Sequence, residues 1–199
     1  MVKGSYIFGK YVVKAPEGSR LQKLCAKLKE EFPDLQMGHK REIWYHWVLH
    51  VVAMIFTLFF NRTYINFFTT TFKNRVHWGD KHHDRIQTGT DLDRVWECLM
   101  HEREHLRQFD RYGMLLMGLM WIIPPFLFCY WRAQKIELPG YTESIRAKFQ
   151  TSRQWVEHPE YKKWWVKQFT GPNYLWMWIR RKQVEGWFDQ ELLRLQEAA

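Results

Sequence analysis

The chain has 199 residues, of which 46% are hydrophobic and 26% charged, a balance that supports a buried core and excludes a disordered chain. Thirty lysines and arginines against 21 acidic residues give a formal net charge of +9, so an anionic partner has to be considered. The cations are scattered, with only short groups such as Lys162-Lys163 and Arg180-Arg181-Lys182, and no nucleic-acid motif accompanies them, which argues against a specific nucleic-acid partner.

The chain opens without a secretory pattern, since Lys3-Gly4-Ser5-Tyr6 leads into a mixed polar segment. Residues 1–19 predict a strand-like arm in which Tyr6-Ile7-Phe8 and Tyr11-Val12-Val13 are separated at Gly9. Ser19 caps a helix over Arg20–Phe32, with Leu21, Leu24, Cys25 and Leu28 at helical spacing and Pro33 as its stop. Ile43–Phe60 contains no Asp, Glu, Lys or Arg and approaches the roughly 18–20 residues that span a bilayer. Met114–Trp131 is a second such stretch, broken by Pro124-Pro125. Burial within a globular fold is the expectation for both, with membrane contact as the alternative.

Tyr64–Trp78 is rich in Thr, Phe, Tyr and Val and predicts a strand or hairpin turning at Lys73-Asn74. Gly79–Thr90 reads as a polar, solvated loop holding His82 and His83. A helix over Asp91–Tyr112 follows, capped by Thr90 or Asp91 and ended by Gly113. Helical pattern resumes through Ile145 and Phe149. Pro159–Phe169 predicts a short helix broken by Gly171-Pro172, and a last helix runs from Asn173 or Tyr174 toward Gln196, bent near Gly186. Cys25, Cys98 and Cys129 are odd in number and widely spaced, so they form neither a disulfide framework nor a CxxC metal motif and fit free thiols in a reducing compartment. The 12 Trp, 9 Tyr and 14 Phe are bulky amphipathic rings suited to a core, an interface or a membrane surface.

The chemistry concentrates in His101-Glu102-Arg103-Glu104-His105. On a helix, residues four apart stack on one face, so both imidazoles can ligate one metal. Glu102 is then placed to act as general base toward a zinc-activated water. The two charged middle residues, Arg103 and Glu104, are unusual for such a motif and imply a helix open to solvent on that side. A third protein ligand is required, and Glu137 and Glu143 are the downstream carboxylates. Tyr141 and His77 are candidate donors to an oxyanion. His82 and His83 are weaker metal candidates, and Cys98 reads as a core thiol.

Four pieces of Tyr64–Leu193 resemble a group of bacterial and phage metallopeptidase-like proteins within the gluzincin class. Phe68-Thr69-Thr70-Thr71 before Arg75-Val76-His77 is similar to the strand preceding the active-site helix. The segment from His101 to Gln108, with Gly113, is similar to the zinc helix and its exit. Glu137-Leu138-Pro139-Gly140-Tyr141 resembles the gluzincin Glu-x-x-Ala-x segment, with Gly140 in place of Ala. Tyr174-Leu175-Trp176-Met177-Trp178 followed by Trp187 resembles a C-terminal signature of the group.

The resemblance implies Glu137, rather than Glu143, as third ligand, Glu102 as base and Zn2+ as cofactor. It also implies a zincin-like single domain over 1–199, mainly α with a small β-sheet or hairpin, built around the HExxH helix. Residues 1–42 would be an N-terminal arm and helix, 43–60 an apolar helix and 61–199 the metallopeptidase-like core. The expected function is zinc-dependent hydrolysis of a peptide or protein substrate, with Tyr141 assisting. The alternative is a zinc-binding structural or assembly protein, such as a phage virion component, with weak or no activity. Either is expected in the cytoplasm or associated with a virion.

Overall fold

A computed structural model of the chain describes residues 4–56, 64–122, 133–171 and 180–199. It is mainly helical, with two small sheets. Strands β1 (Ser5–Phe8) and β2 (Tyr11–Lys14) form an antiparallel hairpin that turns at Gly9, whose φ of 65° lies in the left-handed region that glycine adopts without strain. Helix α1 (Arg20–Glu31) begins where the Ser19 hydroxyl accepts from the Gln22 backbone N–H, an N-cap of the expected kind. It buries Leu21, Leu24, Cys25 and Leu28, the predicted face.

Strand β3 (Gln36–His39) is absent from the sequence reading. It runs parallel to β5 (Arg75–Trp78), which pairs on its other side with antiparallel β4 (Thr70–Phe72). The expected hairpin is thus confined to β4 and β5, joined at Lys73-Asn74 with Lys73 at a φ of 54°. Its predicted first residues instead make a helical turn, α3 (Tyr64–Phe67). Strands are marked by β-branched alternation, and β3 has none: its Gln36-Met37-Gly38-His39 becomes a strand because β5 offers it a free edge.

The polar loop expected over Gly79–Thr90 is a helix, α4 (Asp80–Thr88). Gly79 starts it in extended conformation and Gly89 ends it in the left-handed region, a start and stop that the polarity of the segment conceals. Its two histidines are partly buried. His83 Nδ1 lies 2.9 Å from the Tyr11 hydroxyl and its ring stacks on His39, while His82 Nδ1 is buried.

Helix α5 (Leu92–Ile122) continues past the predicted end but breaks its geometry at Gly113, with φ 75° and ψ 162°. A π-helical turn (Ala133–Glu137) leads directly into α6 (Leu138–Thr151). Then come α7 (Arg153–Val156), α8 (Pro159–Thr170) and α9 (Arg181–Glu197), the last carrying Gly186 inside it. The C-terminal signature residues Tyr174–Trp178, the Pro124-Pro125 break and Cys129 lie outside the described residues.

One core joins Phe8, Val13 and the buried face of α1 to Val76, Trp78, Ile86, Val95, Leu99 and Leu106, so the N-terminal residues share their packing with the first half of α5. A second core gathers Tyr141, Ile145, Trp165, Phe169, Val184 and Phe188 from α6, α8 and α9. The seam between α5 and α6 lies between these two cores.

Helix α2 (Trp44–Phe56) departs most from expectation. Instead of being buried, it leaves Trp44, Trp47, Val48, Leu49, Val51, Val52 and Ile55 exposed. It packs through its other side, where His46 Nδ1 lies 2.9 Å from the Tyr64 hydroxyl and His46 Nε2 lies 2.9 Å from His77 Nδ1. Among the described residues no helix is long and apolar enough to cross a membrane.

Buried Lys40 places its Nζ 3.6 Å from the centre of the Tyr64 ring and donates to the Tyr64 carbonyl. Burial, reinforced by the Lys40 charge, lowers His46 to about 3 and His77 to about 4. Both imidazoles are therefore neutral in the fold at pH values where they would be protonated in the unfolded chain. The unfolded chain then binds more protons, so stability falls as pH drops from 6.5 toward 4. Scanning calorimetry across that range should show a falling Tm, and His46→Phe should make the decline shallower. A decline of unchanged slope would remove His46 from the effect.

Candidate metal centre

One face of α5 carries Glu97, His101, His105 and Gln108, a polar row at helical spacing. Helix α6 and the π-helical turn before it run antiparallel along this row. Glu97 accepts from Lys148 and Thr151, His101 meets Gly140, Tyr141 and Ser144, His105 meets Glu137, and Gln108 donates to the Ile136 carbonyl. A polar seam so deeply buried must satisfy its groups internally, and most of it does.

The exception is at its centre. His101 Nε2 and His105 Nε2 are 2.9 Å apart, and Glu137 Oε2 lies 3.8 Å from the first and 3.9 Å from the second. All three side chains are buried, and this group could hold a metal ion. The other Glu137 oxygen, Oε1, is buried without a hydrogen-bond partner. A buried carboxylate without full compensation is costly unless a cation accompanies it. Two imidazoles and a carboxylate suit zinc and leave a coordination position open.

The outer contacts orient the ligands. Gln108 Oε1 lies 2.9 Å from His105 Nδ1, and Gln108 is itself held by its donation to the Ile136 carbonyl. With Nδ1 donating to Gln108, His105 keeps its Nε2 lone pair for a metal. The His101 ring bonds to the Gly140 carbonyl, and its Nδ1 lies 3.3 Å from Ser144 Oγ. Burial holds the His101 pKa well below the ordinary imidazole value, with neighbouring His105 adding to the effect, so His101 presents a neutral ring.

Glu102 lies on the next face of α5, against the sheet. Thr71 of β4 donates to its Oε2 at 2.6 Å. Burial raises the Glu102 pKa, opposed by His105 and the Thr71 hydrogen bond and reinforced by the Glu137 charge.

Of the two charged middle residues of the motif, Arg103 does not face solvent as expected. Arg103 is buried, and its guanidinium grips both carboxylate oxygens of Glu31 on α1, while Arg107 reaches the same carboxylate. The pairing holds the Glu31 carboxyl below its usual range. Arg103 thus ties α5 to α1 on the side away from the histidines.

Glu137 is the last residue of the π-helical turn, and Pro139 is the second residue of α6, where a missing N–H leaves no hydrogen bond unmade. Proline is tolerated there, within the first turn of the helix. Glu143 is six residues further on, well over one helical turn, and accepts from Arg146. Glu137→Gln should lower zinc affinity by at least the roughly 10–100-fold typical of second-shell changes, and Glu143→Gln should leave it unaltered. Titration with a competing chelator checks both, and the opposite ranking would exchange their roles.

Gly140 faces the His101 ring so closely that a Cβ there would come within 2.9 Å of His101 Cε1 and 3.0 Å of Nδ1. Glycine, with no Cβ, avoids that approach. Gly140→Ala is expected to displace His101, weakening zinc binding and costing about 1–3 kcal/mol of stability as overpacking. Unchanged chelator competition and Tm would show that the ring has room.

Tyr141 packs its ring 4.5 Å from the His101 ring and edge-on against Trp165 and Phe169. His77 is elsewhere. Thr71 and Val76 are cross-strand partners on the face toward Glu102, so the next residue of β5, His77, points to the opposite face, where His46 and Tyr45 meet it. Cys98, a partly buried residue, donates to Thr69 Oγ1, and burial raises the pKa of its thiol. Sequence reasoning missed Thr71, Gln108, Gly140 and Ser144 as supporting residues. Only Gln108, three positions after His105 on the same helix face, had a readable signal. Comparison of the chain with family models, curated proteins and solved structures returns no match.

Proposed function

We propose that this chain is a zinc-dependent peptide-bond hydrolase of the gluzincin type. The observation that supports it is the buried convergence of His101 Nε2, His105 Nε2 and Glu137 Oε2, with Glu137 Oε1 left unpartnered. His101, His105 and Glu137 would hold the ion. When bound, zinc supplies a Lewis acid that polarises a carbonyl and lowers the pKa of water.

The remaining roles belong to the protein. Glu102 takes the proton from the attacking water and passes it to the leaving amine. Its raised pKa, brought about by burial, moves it toward the range in which a carboxyl both accepts and returns a proton. Thr71, donating to Oε2, fixes the carboxylate's orientation and leaves Oε1 for proton transfer. Tyr141, whose ring packs on His101, is the donor assigned to the carbonyl oxygen as it gains charge. Gln108 and Ser144 hold the two imidazoles in place.

The test is cleavage of a broad peptide library by the zinc-loaded chain, repeated after chelation and after zinc is restored. Cleavage lost on chelation and recovered with zinc supports the hydrolase. A chain that binds zinc, melts earlier without it and cleaves nothing would favour the structural or assembly role.

A further inference from the structure

The widest feature that the metal centre does not use is the exposed arc of α2. Trp44, Val48, Val51 and Ile55 follow one another at three- and four-residue steps, so they form a stripe along one face, flanked by Trp47 and Val52. Trp44 is 76% exposed. No formal charge interrupts the helix, and its polar side chains His46 and His50 lie on the other side, toward Tyr64. Phe67 of the neighbouring helix α3 is also exposed. Lys81 lies 3.9 Å from the Phe67 ring centre, and the Arg41 guanidinium, which donates to both carboxylate oxygens of Asp80, lies 5.7 Å from that of Trp47.

A second apolar surface begins at Gly113. Before it α5 is densely charged, ending at exposed Arg111. After it Met114, Leu115, Leu116 and Leu119 are exposed, with Leu115 at 79%.

We propose that these surfaces dock the protein on an anionic lipid bilayer, with α2 lying in the plane of the interface. The described part of α2, Trp44–Phe56, runs about 20 Å, and among the described residues no helix is long and apolar enough to cross a membrane. A helix with one exposed apolar face is accommodated along the surface. Apart from indole N–H groups, the arc offers no side-chain hydrogen bonds to fix the register of a protein partner, whereas acyl chains need none. The Trp47 N–H donates to the Arg41 carbonyl at 3.4 Å. Two tryptophans at the end of the helix next to Arg41 match the headgroup level, where indole rings concentrate. The Lys81 ammonium and the net charge of +9 favour anionic headgroups.

The proposal is independent of the metal centre. Its test is flotation of the full chain with vesicles of phosphatidylcholine alone and of phosphatidylcholine with phosphatidylglycerol in equal parts. The parent should float with the anionic vesicles and much less with the neutral ones. Trp44→Glu, Val48→Glu and Leu115→Glu alter exposed side chains, so circular dichroism and zinc content should stay at parental values. Each should reduce vesicle partitioning about tenfold, the change made by about 1.4 kcal/mol. The proposal is overturned by a parent that floats with neither vesicle type or equally with both. It is also overturned by variants that float like the parent, or by a lipid-free dimer that Trp44→Glu dissociates, which would make a second copy the occupant.

Discussion

Replacing His101 or His105 with alanine is expected to reduce bound zinc from about one equivalent per chain to a small fraction of it. The two Nε2 atoms, 2.9 Å apart, are the only imidazole nitrogens in the convergent group, and neither has a substitute in that group. Each substitution leaves one histidine and one carboxylate, too few to hold zinc against competing water. The apo fold should survive in part, because Leu99 and Leu106 bury a different face of α5 in the core that runs from β1 to α5. Metal analysis after gel filtration, paired with circular dichroism, separates loss of metal from loss of fold. Full zinc occupancy in both single variants would defeat the metal assignment and leave the pair as a hydrogen-bonded structural contact.

Glu102→Gln is expected to keep zinc and abolish most cleavage. The amide has the shape of the carboxylate and can still accept from Thr71 through its oxygen, so the contact with β4 and the helix are retained. What disappears is the basic oxygen, and general-base losses typically amount to roughly 10²–10⁴-fold in rate. Removing a buried carboxyl whose charged form burial disfavours should leave the melting temperature equal or slightly higher. The three readouts are zinc content, Tm and peptide cleavage at saturating zinc. Cleavage equal to the parent would remove Glu102 as base while leaving the metal centre intact.

The sequence by itself determined the local parts of this protein. Periodic leucines and a serine cap specified α1, and the four-residue spacing of His101 and His105 placed two imidazoles on one helix face. Both are properties of a single helical turn and need no distant partner. Glu137 was legible only through resemblance, because no spacing rule relates a helix to a residue more than thirty positions downstream. What selects it over Glu143 is the antiparallel packing of α5 against the π-helical turn and α6, which buries Glu137 beside the histidines and leaves Glu143 with Arg146.

Arg103 shows the same limit. Its charge suggested a solvent-facing side, yet Glu31, 72 positions away, turns it into a buried tie between helices. Strand β3 exists because β5 has an edge to fill, and α2 is exposed because its packing residues occupy only one of its sides. A helix face, a cap and a turn depend on interactions over three or four residues. Third ligands, strand partners and buried ion pairs depend on which elements meet, and only the tertiary structure decides that.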